Sequence, residues 1–491
     1  MSMPTPAGRV RRVALLACSF ILSRLLYWGA GVRFDASSLN EFMQFLDPVL
    51  LRERLLESLV YLHIQPPLFN AFLGVGLKLD PASAWFFPAC FFLAGFLLYA
   101  STDALMRRMG VSPRIAFALS TVFMASPGFV LWEHFLLYEF LCAALLAASA
   151  VLVFDYARDA RPGQVALAFA CVVGLAGMRS LFHWAYVALV LAGALAARPR
   201  HWQPTLAAGL VALVLVSAVY VKNYAVFGQF TACTFVDKNL WIMTAGNIGW
   251  EEKTRLVAEG RLSTLALTNR WAGLDAYPEA YAVVPERFRQ VPALSEAKKS
   301  NGAVNYNHIG HIAICGVYGE DARAVLRDNS RAYAAAVALS AYRYFAPVSS
   351  PPVSPQNKAA MPWMLALYDR VLLLKAPDAL RDAVPFFARG GIAPHVTLLL
   401  GLPLLVAYGM ARLLRALWHA GPQGWCALDA PTVLLAFMLF NIAVVAILGC
   451  ALDFHETARY RFLTNAFYVT LAGMLLQRLV TLRRLPANPR D

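Results

Sequence analysis

APTVLLAFMLFNIAVVAILGC, residues 430–450, carries no charged side chain from end to end. As a helix rising 1.5 Å per residue it is about 30 Å long, the thickness of the hydrocarbon layer of a bilayer. Further apolar runs of spanning length lie at 13–30, 84–104, 114–131, 136–154, 164–178, 181–197, 205–221, 392–414 and 463–479. With 430–450 they make about ten candidate transmembrane helices. An eleventh run, 68–79, has the length of a re-entrant or interfacial piece.

The composition agrees. Of 491 residues, 59% are hydrophobic and 15% charged, with a mean hydropathy of +0.55. A soluble chain carries about 25% charged residues, so an ordinary globular enzyme is excluded. Disorder, collagen, coiled coil and a disulfide scaffold are excluded as well, because apolar residues are too many and the eight cysteines too few. The fold class is an all-α polytopic membrane protein. The net charge of +14 points to membrane topology rather than nucleic acid, because the arginines gather in short loops between apolar runs.

Parity decides the count. With Arg9, Arg11 and Arg12 on the cytoplasmic side, ten spans place Arg107/Arg108, Arg158/Arg161, Arg198/Arg200, Arg412/Arg415 and Arg483/Arg484 on that side too. Counting 68–79 as a span would put those basic pairs outside. The charge bias therefore predicts ten spans with both termini cytoplasmic. The first run reads as a retained helix rather than a signal peptide, since it contains Arg24 and lacks a small-x-small cleavage site.

This gives a transmembrane module over 1–221 with a first outer loop at 31–83, an outer domain at 222–391, and C-terminal helices over 392–491. In the loop, Asp47-Pro48 reads as a helix start. Beyond it, Leu51, Leu55, Leu56, Leu59 and Val60 share a face opposite Arg52, Glu53, Arg54 and Glu57, as in a juxtamembrane helix lying on the bilayer. The outer domain has ordinary polarity, a turn at Ser349-Ser350-Pro351-Pro352 and a helical stretch near 322–344. There is no internal repeat.

Cys18, Cys90, Cys142 and Cys171 lie in spans as packing residues. Cys233 and Cys315 share the outer domain, where an oxidising compartment permits a bridge. No CxxC or HExxH spacing marks a dedicated zinc site.

The titratable residues gather on the outer side. They are Asp35 with Glu41; His63; Glu133-His134 with Glu139; and Asp453-x-His455-Glu456-x-x-Arg459-x-Arg461, with Arg179 and His183 in another outer break. Ionisable groups at membrane depth are costly and tend to be functional. Each also has a plainer reading: Asp35 as a helix cap, Glu133 as a helix-end charge, Glu456 and Arg459 as a local i,i+3 pair. Likewise Arg24 can reach for water or face a lipid phosphate, and His63 can support the Pro66-Pro67 turn. Carboxylates provide a general base for an attacking hydroxyl, and arginines hold a phosphate leaving group by charge-assisted bonds. Together they fit group transfer from a lipid-linked phosphate donor.

Three elements carry a family resemblance. His63-Ile64-Gln65-Pro66-Pro67-Leu68 resembles a His-Pro-Pro-Leu element, with Ile-Gln inserted after the histidine. Lys222-Asn223-Tyr224-Ala225-Val226-Phe227-Gly228, continuing to Asn239-Leu240 and Gly246-Asn247, is similar to an Arg-Asn-Tyr…Phe-Gly…Asn-Leu…Gly-Asn run, with Lys for Arg. Glu456-x-x-Arg459-Tyr460-x-Phe462 looks like a closing Glu…Arg-Tyr element. Their order, spread over about 13–475, resembles the GT-C glycosyltransferases, in the group of protein O-mannosyltransferases and lipid A aminoarabinose transferases.

The resemblance implies a GT-C-like seven-helix module and an active site on the outer, periplasmic face of the cytoplasmic membrane. The donor would be a polyprenyl-phosphate-linked sugar, and the acceptor a hydroxyl of a cell-envelope lipid, glycan or protein. It assigns the base to Asp35, with inversion at the anomeric carbon. Glu133 would orient the acceptor or bind a divalent ion, Mg or Mn, which some members use and others do not. Lys222, Arg459 and Arg179 would neutralise the leaving phosphate, and His63, Glu456, Arg461 and Arg24 are the further pocket candidates. On the same scaffold an oligosaccharide ligase or polymerase is the alternative. A transporter, with midplane charges on broken helices and repeats, fits less well, and a non-catalytic scaffold leaves the outer charges unexplained.

Overall fold

The computed structural model describes residues 6–351, 353–424, 428–454 and 456–483. Pro352, His455, Arg484 and the Arg9 side chain, named above, lie outside the described residues. Long helices follow one another as α1 (Pro6–Gly29), α2 (Phe86–Arg108), α3 (Pro113–Met124), α4 (Tyr138–Asp159), α5 (Pro162–Met178), α6 (Trp184–Ala197), α7 (Trp202–Phe227), α8 (Leu402–Gly424), α9 (Ala430–Leu452) and α10 (Asn465–Leu482). Among the described residues there are isolated β-bridges but no strand.

The helix ends follow local chemistry. Proline at the first turn starts α3, α5 and α9, where its missing N–H costs nothing, and the Asp429 side chain caps α9 by accepting from the Thr432 amide. The run expected as one span at 114–131 is broken. α3 stops at Met124, and a short helix, Pro127–Glu133, leaves at 60°. Ser126 caps that helix through the Phe129 amide, and Pro127 cannot continue α3. α7 does not end at 221 but runs on to Phe227, where Gly228 takes a left-handed φ of 72° and donates to the Tyr224 carbonyl. Lys222 is therefore a helix residue rather than the start of the outer domain. The stretch expected near 322–344 is two helices, Gly310–Asp328 and Ser330–Tyr344, divided at Asn329, whose side chain caps the second.

Contacts at one end of the bundle fix the helix directions. Arg12 binds Asp103 and the Pro113 carbonyl, and Arg108 binds Asp155. Tyr156 meets Thr205, Arg198 reaches the Ala157 and Leu428 carbonyls, and Gln477 accepts from the Ser112 amide. Helix starts and helix ends thus alternate at this face, and successive long helices run antiparallel. α4 lies among α2, α5 and α9, with Ala143, Ala144, Ala147, Ser149 and Ala150 buried. Small residues let helices approach closely where lipid supplies no hydrophobic drive between them. The outward sides of α7 and α8 are apolar and exposed, as at Val211, Val214 and Leu404.

By length and composition, five helices among the described residues are fit to cross a membrane: Phe86–Arg108, Tyr138–Asp159, Pro199–Phe227, Thr397–Gly421 and Ala430–Leu452. The bent pair after Ser112 adds a sixth. α5 and α6, of 17 and 14 residues, are shorter than the roughly 20 residues a perpendicular span needs. The chain is an integral membrane protein; the count of ten belongs with the proposals below.

On the opposite face the 222–391 insert does not stand apart. It has a small core of its own, with Trp241, Leu256, Leu274, Ile314 and Tyr318, yet it clamps the first outer loop at three places. Asn357 exchanges two hydrogen bonds with the Arg33 backbone. Ser300 donates to Asp47 and Lys299 to the Phe42 carbonyl. Asn307 bonds the backbone of Tyr61 and His63. Asp47 also caps Pro48–Glu53 through the Val49 amide. The expected amphipathic helix breaks at Arg54, beyond which Leu55–Val60 follows, leaving Leu56 79% exposed beside a fully buried Leu51. The 68–79 run is a single helix, Leu68–Leu79, packed on Pro48–Glu53. Cys233 and Cys315 are both buried free thiols, and Cys233 donates to the Ile64 carbonyl.

Candidate active site

Asp35 lies where the first outer loop meets the turn between the 127–133 helix and α4. Its backbone forms a parallel bridge with Phe135: the Asp35 amide donates to the His134 carbonyl at 2.7 Å, and the Leu136 amide donates to the Asp35 carbonyl at 3.0 Å. The Ser38 hydroxyl adds a bond to the Leu136 carbonyl. The half-buried carboxylate accepts from the Ser37 amide at 2.9 Å and from the Ser354 hydroxyl at 2.7 Å. Two of the outer acidic clusters are thereby joined.

Glu133 takes a different place. It is buried, and both its oxygens bind the buried Arg24, with Nε to Oε1 at 2.8 Å and Nη2 to Oε2. Arg24 stacks 4.2 Å over Phe20 and bonds Ser23. So Arg24 neither reaches for water nor faces a lipid phosphate. The expected task of Glu133, orienting an acceptor or ligating a divalent ion, does not fit a carboxylate engaged at both oxygens. Gly95 makes room for the pair: a Cβ there would come 2.5 Å from Glu133 Oε2.

At the first turn of α4 lies a second charged cluster. Glu139 is fully buried; Arg179 Nη1 donates to its Oε1 at 2.8 Å, and Arg459 Nε comes within 3.6 Å of the same oxygen. Glu139 Oε2 and Arg459 Nε have no hydrogen-bond partner. Arg459 also pairs with Glu456 at 2.8 Å and lies 3.6 Å from Asp453. Arg179 lies 4.1 Å over the Tyr460 ring and 5.3 Å over Tyr138. Thus Arg179, Arg459 and Glu456 come together, and Glu456 makes the local i,i+3 pair as well. Glu139, Asp453 and the two tyrosines complete a cluster that the sequence marked only in part. Glu139 stood in a named acidic group, but its apolar neighbours made it no more prominent than Glu133.

Arg461 points away from this cluster. It is 2% exposed, donates to the Tyr344 carbonyl and, at 3.4 Å, to Asn465. Among the described residues no carboxylate comes within ion-pair distance of it. Phe462 beside it stacks on Trp132, whose indole N–H donates to the Val348 carbonyl. This links the last outer turn to the one bearing Asp35.

Lys222 and His63 are placed elsewhere. The Lys222 ammonium donates to the Leu62 carbonyl. His63 is fully buried, with Nδ1 2.8 Å from the Thr234 hydroxyl and Nε2 3.0 Å from the Asn307 carbonyl. A carbonyl only accepts, so Nε2 carries the proton and Nδ1 accepts from Thr234. Burial pulls the His63 pKa down to about 3, so it is neutral at physiological pH and fills a supporting position rather than a pocket. Beside it Gln65 is buried with both amide atoms unpartnered; the sequence marked it only as part of the Ile-Gln insertion.

Among the described residues no three His, Cys, Asp or Glu side chains gather as metal ligands. The donor set argues the same way for Mg or Mn: Glu133 is bound to Arg24, and Glu139 lies between two arginines. These side chains, as arranged, do not fit a divalent ion.

No family model matches the chain, and no curated protein matches it. It is similar to two solved structures of an archaeal oligosaccharyltransferase from Archaeoglobus fulgidus. One is tethered by a disulfide to an acceptor peptide containing the NVT sequon, at 12% identity over 96% of this chain and 51% of that one, with a TM-score of 0.43. The other, AglB, is in complex with an inhibitory peptide and a dolichol-phosphate, at 13% identity over 99% and 53%, with a TM-score of 0.44. The chain spans about half the length of either. At so low a TM-score the likeness carries no functional argument, and the reading below rests on the chain's own residues.

Proposed function

We propose that this chain is a GT-C-type membrane glycosyltransferase that moves a sugar from a polyprenyl-phosphate-linked donor to a hydroxyl of a cell-envelope lipid, glycan or protein. The observation that carries the reading is the Asp35–Phe135 bridge. It holds the first-loop carboxylate against the turn from which Glu139 gathers Arg179 and Arg459. Asp35 is the general base and accepts the proton of the attacking hydroxyl. The hydroxyl oxygen bonds to the anomeric carbon as the bond to the phosphate oxygen breaks, and configuration inverts.

The leaving polyprenyl phosphate gains negative charge, which arginine neutralises through charge-assisted bonds. Arg461, buried without a carboxylate, is the strongest candidate for that task. Arg459 assists once Glu456, the most exposed carboxylate of the cluster at 35%, swings away, and Arg179, which stays paired with Glu139, adds its charge from behind. Lys222 and His63 hold the first outer loop in place. In this reading all ten long helices cross the cytoplasmic membrane, both termini are cytoplasmic, and the site faces the periplasm.

The test supplies radiolabelled polyprenyl-phosphate sugars to membranes containing wild type or Asp35→Asn. Transfer by wild type that Asp35→Asn loses at equal expression and folding is the expected result. Equal transfer by both would remove Asp35 from the mechanism, and no turnover of any donor would remove the donor class.

A further inference from the structure

We infer that an arginine-lined crevice at the end of the bundle opposite the candidate site binds the phosphate headgroup of an anionic lipid. The crevice, of about 570 Å³, lies between α8 and α10 and is lined by Arg412, Arg415, His419, Gln477 and Arg478, with the turn at Gly110 above it. A Cβ at Gly110 would meet nothing within 4 Å, so the entrance is open.

The crevice gathers three arginines on one concavity. Four other arginines of this end are ion-paired, Arg12 and Arg107 to Asp103 and Arg108 and Arg158 to Asp155. Among the described residues the Arg412 side chain makes one hydrogen bond, to the Tyr408 hydroxyl at 3.4 Å. Among the described residues neither it nor Arg415 or Arg478 has a carboxylate within ion-pair distance. Guanidinium groups converging on one concavity repel each other until an anion enters. Phosphate, with oxygens for several N–H donors at once, fits that geometry.

The walls show that the phosphate is carried by a lipid. From the crevice, exposed apolar side chains run along both helices: Leu404 and Leu414 on α8, Leu476 and Leu479 on α10. Trp418, 86% exposed, stands beside the arginines, the position tryptophan takes at headgroup depth. Basic pockets between helices at such a face recognise anionic headgroups.

The test uses the full chain in nanodiscs of phosphatidylglycerol mixed with phosphatidylcholine, reading retained lipid by native mass spectrometry. Wild type is expected to retain phosphatidylglycerol selectively. R412Q/R415Q/R478Q should lose selectivity by about fivefold per arginine, on the order of 100-fold in all. The corresponding triple Lys variant should keep most of it. If the Gln triple does not fold, Arg478→Gln alone should show the fivefold loss. Equal retention by wild type and a folded Gln variant would overturn the assignment. So would displacement of the lipid by excess inorganic phosphate, which would assign the crevice to a soluble phosphate. None of these residues takes part in the proposed transfer, so sugar transfer should not change.

Discussion

Arg24 and Glu133 are 109 positions apart and meet inside the bundle, where neither charge is tolerable alone. Removing one partner of such a pair costs about 3–5 kcal/mol, whereas replacing both with apolar residues of similar volume is often neutral. Glu133→Ala should therefore lower thermal stability in detergent by that amount, and Arg24→Met with Glu133→Leu should recover most of it. If Glu133→Ala instead lost transfer at unchanged stability, the purely structural account would be wrong. His63 gives a second test. Its folded pKa, lowered to about 3, is below the ordinary 6.5, so its contribution is full above pH 6.5 and is lost as pH falls toward 3. Protection factors for hydrogen exchange at Leu62–Ile64 and Asn307, taken relative to the intrinsic rate at each pH, should fall over that window, and His63→Gln should flatten the response. Reading the sequence, one finds every one of these ionisable residues but not their partners. Arg24 looks the same whether it pairs with a lipid phosphate or with a carboxylate on a distant helix.

Elements were more legible than pairs, because their ends are set by neighbours in sequence. Pro113, Pro162 and Pro431 mark helix starts on their own, and Asp47-Pro48 announced its cap. The 60° break after α3 was equally local, since Ser126-Pro127 is a helix-start signal inside an apolar run. Hydropathy alone hid it by averaging over the turn. What no local rule reveals is the fit between elements. Gly95 on α2 faces Glu133, whose carboxylate cannot retreat because Arg24 holds it. Gly95→Ala should thus cost about 1–3 kcal/mol, the range for overpacking a tight site. With Glu133→Ala already present it should cost much less. A double-mutant cycle on thermal stability measures that coupling, and simple additivity would refute the contact.

At the scale of the whole molecule the helix directions alternate, and the ten-span topology drawn from charge bias is part of the proposal. Single cysteines at Glu279 and Arg200, in a cysteine-free background, provide the check. A membrane-impermeant maleimide applied to intact cells should label position 279 and spare position 200. Labelling of both would overturn the ten-span arrangement. The bundle's two ends also differ in kind. One carries matched arginines and an unmatched crevice, and the other carries the Asp35 turn gripped by the outer insert. The outer boundary was the least legible large feature. Composition changes near Lys222, but the backbone stays helical to Phe227, and a composition shift marks solvent rather than the end of a helix.

The grip of the insert on the first outer loop has a consequence in time. His63 emerges from the ribosome long before Asn307, which follows 244 residues later. At about 5–20 residues per second that is a wait of roughly 10–50 s. Lys222, Cys233 and Thr234 arrive earlier, but throughout it the Tyr61 carbonyl and the amide and Nε2 of His63 lack the partners that Asn307 supplies. A nascent chain stalled before Asn307 should therefore present this loop to an added protease, and one released after it should not. The carboxylate proposed as the base waits longer still for its Ser354 partner, which follows it by 319 residues.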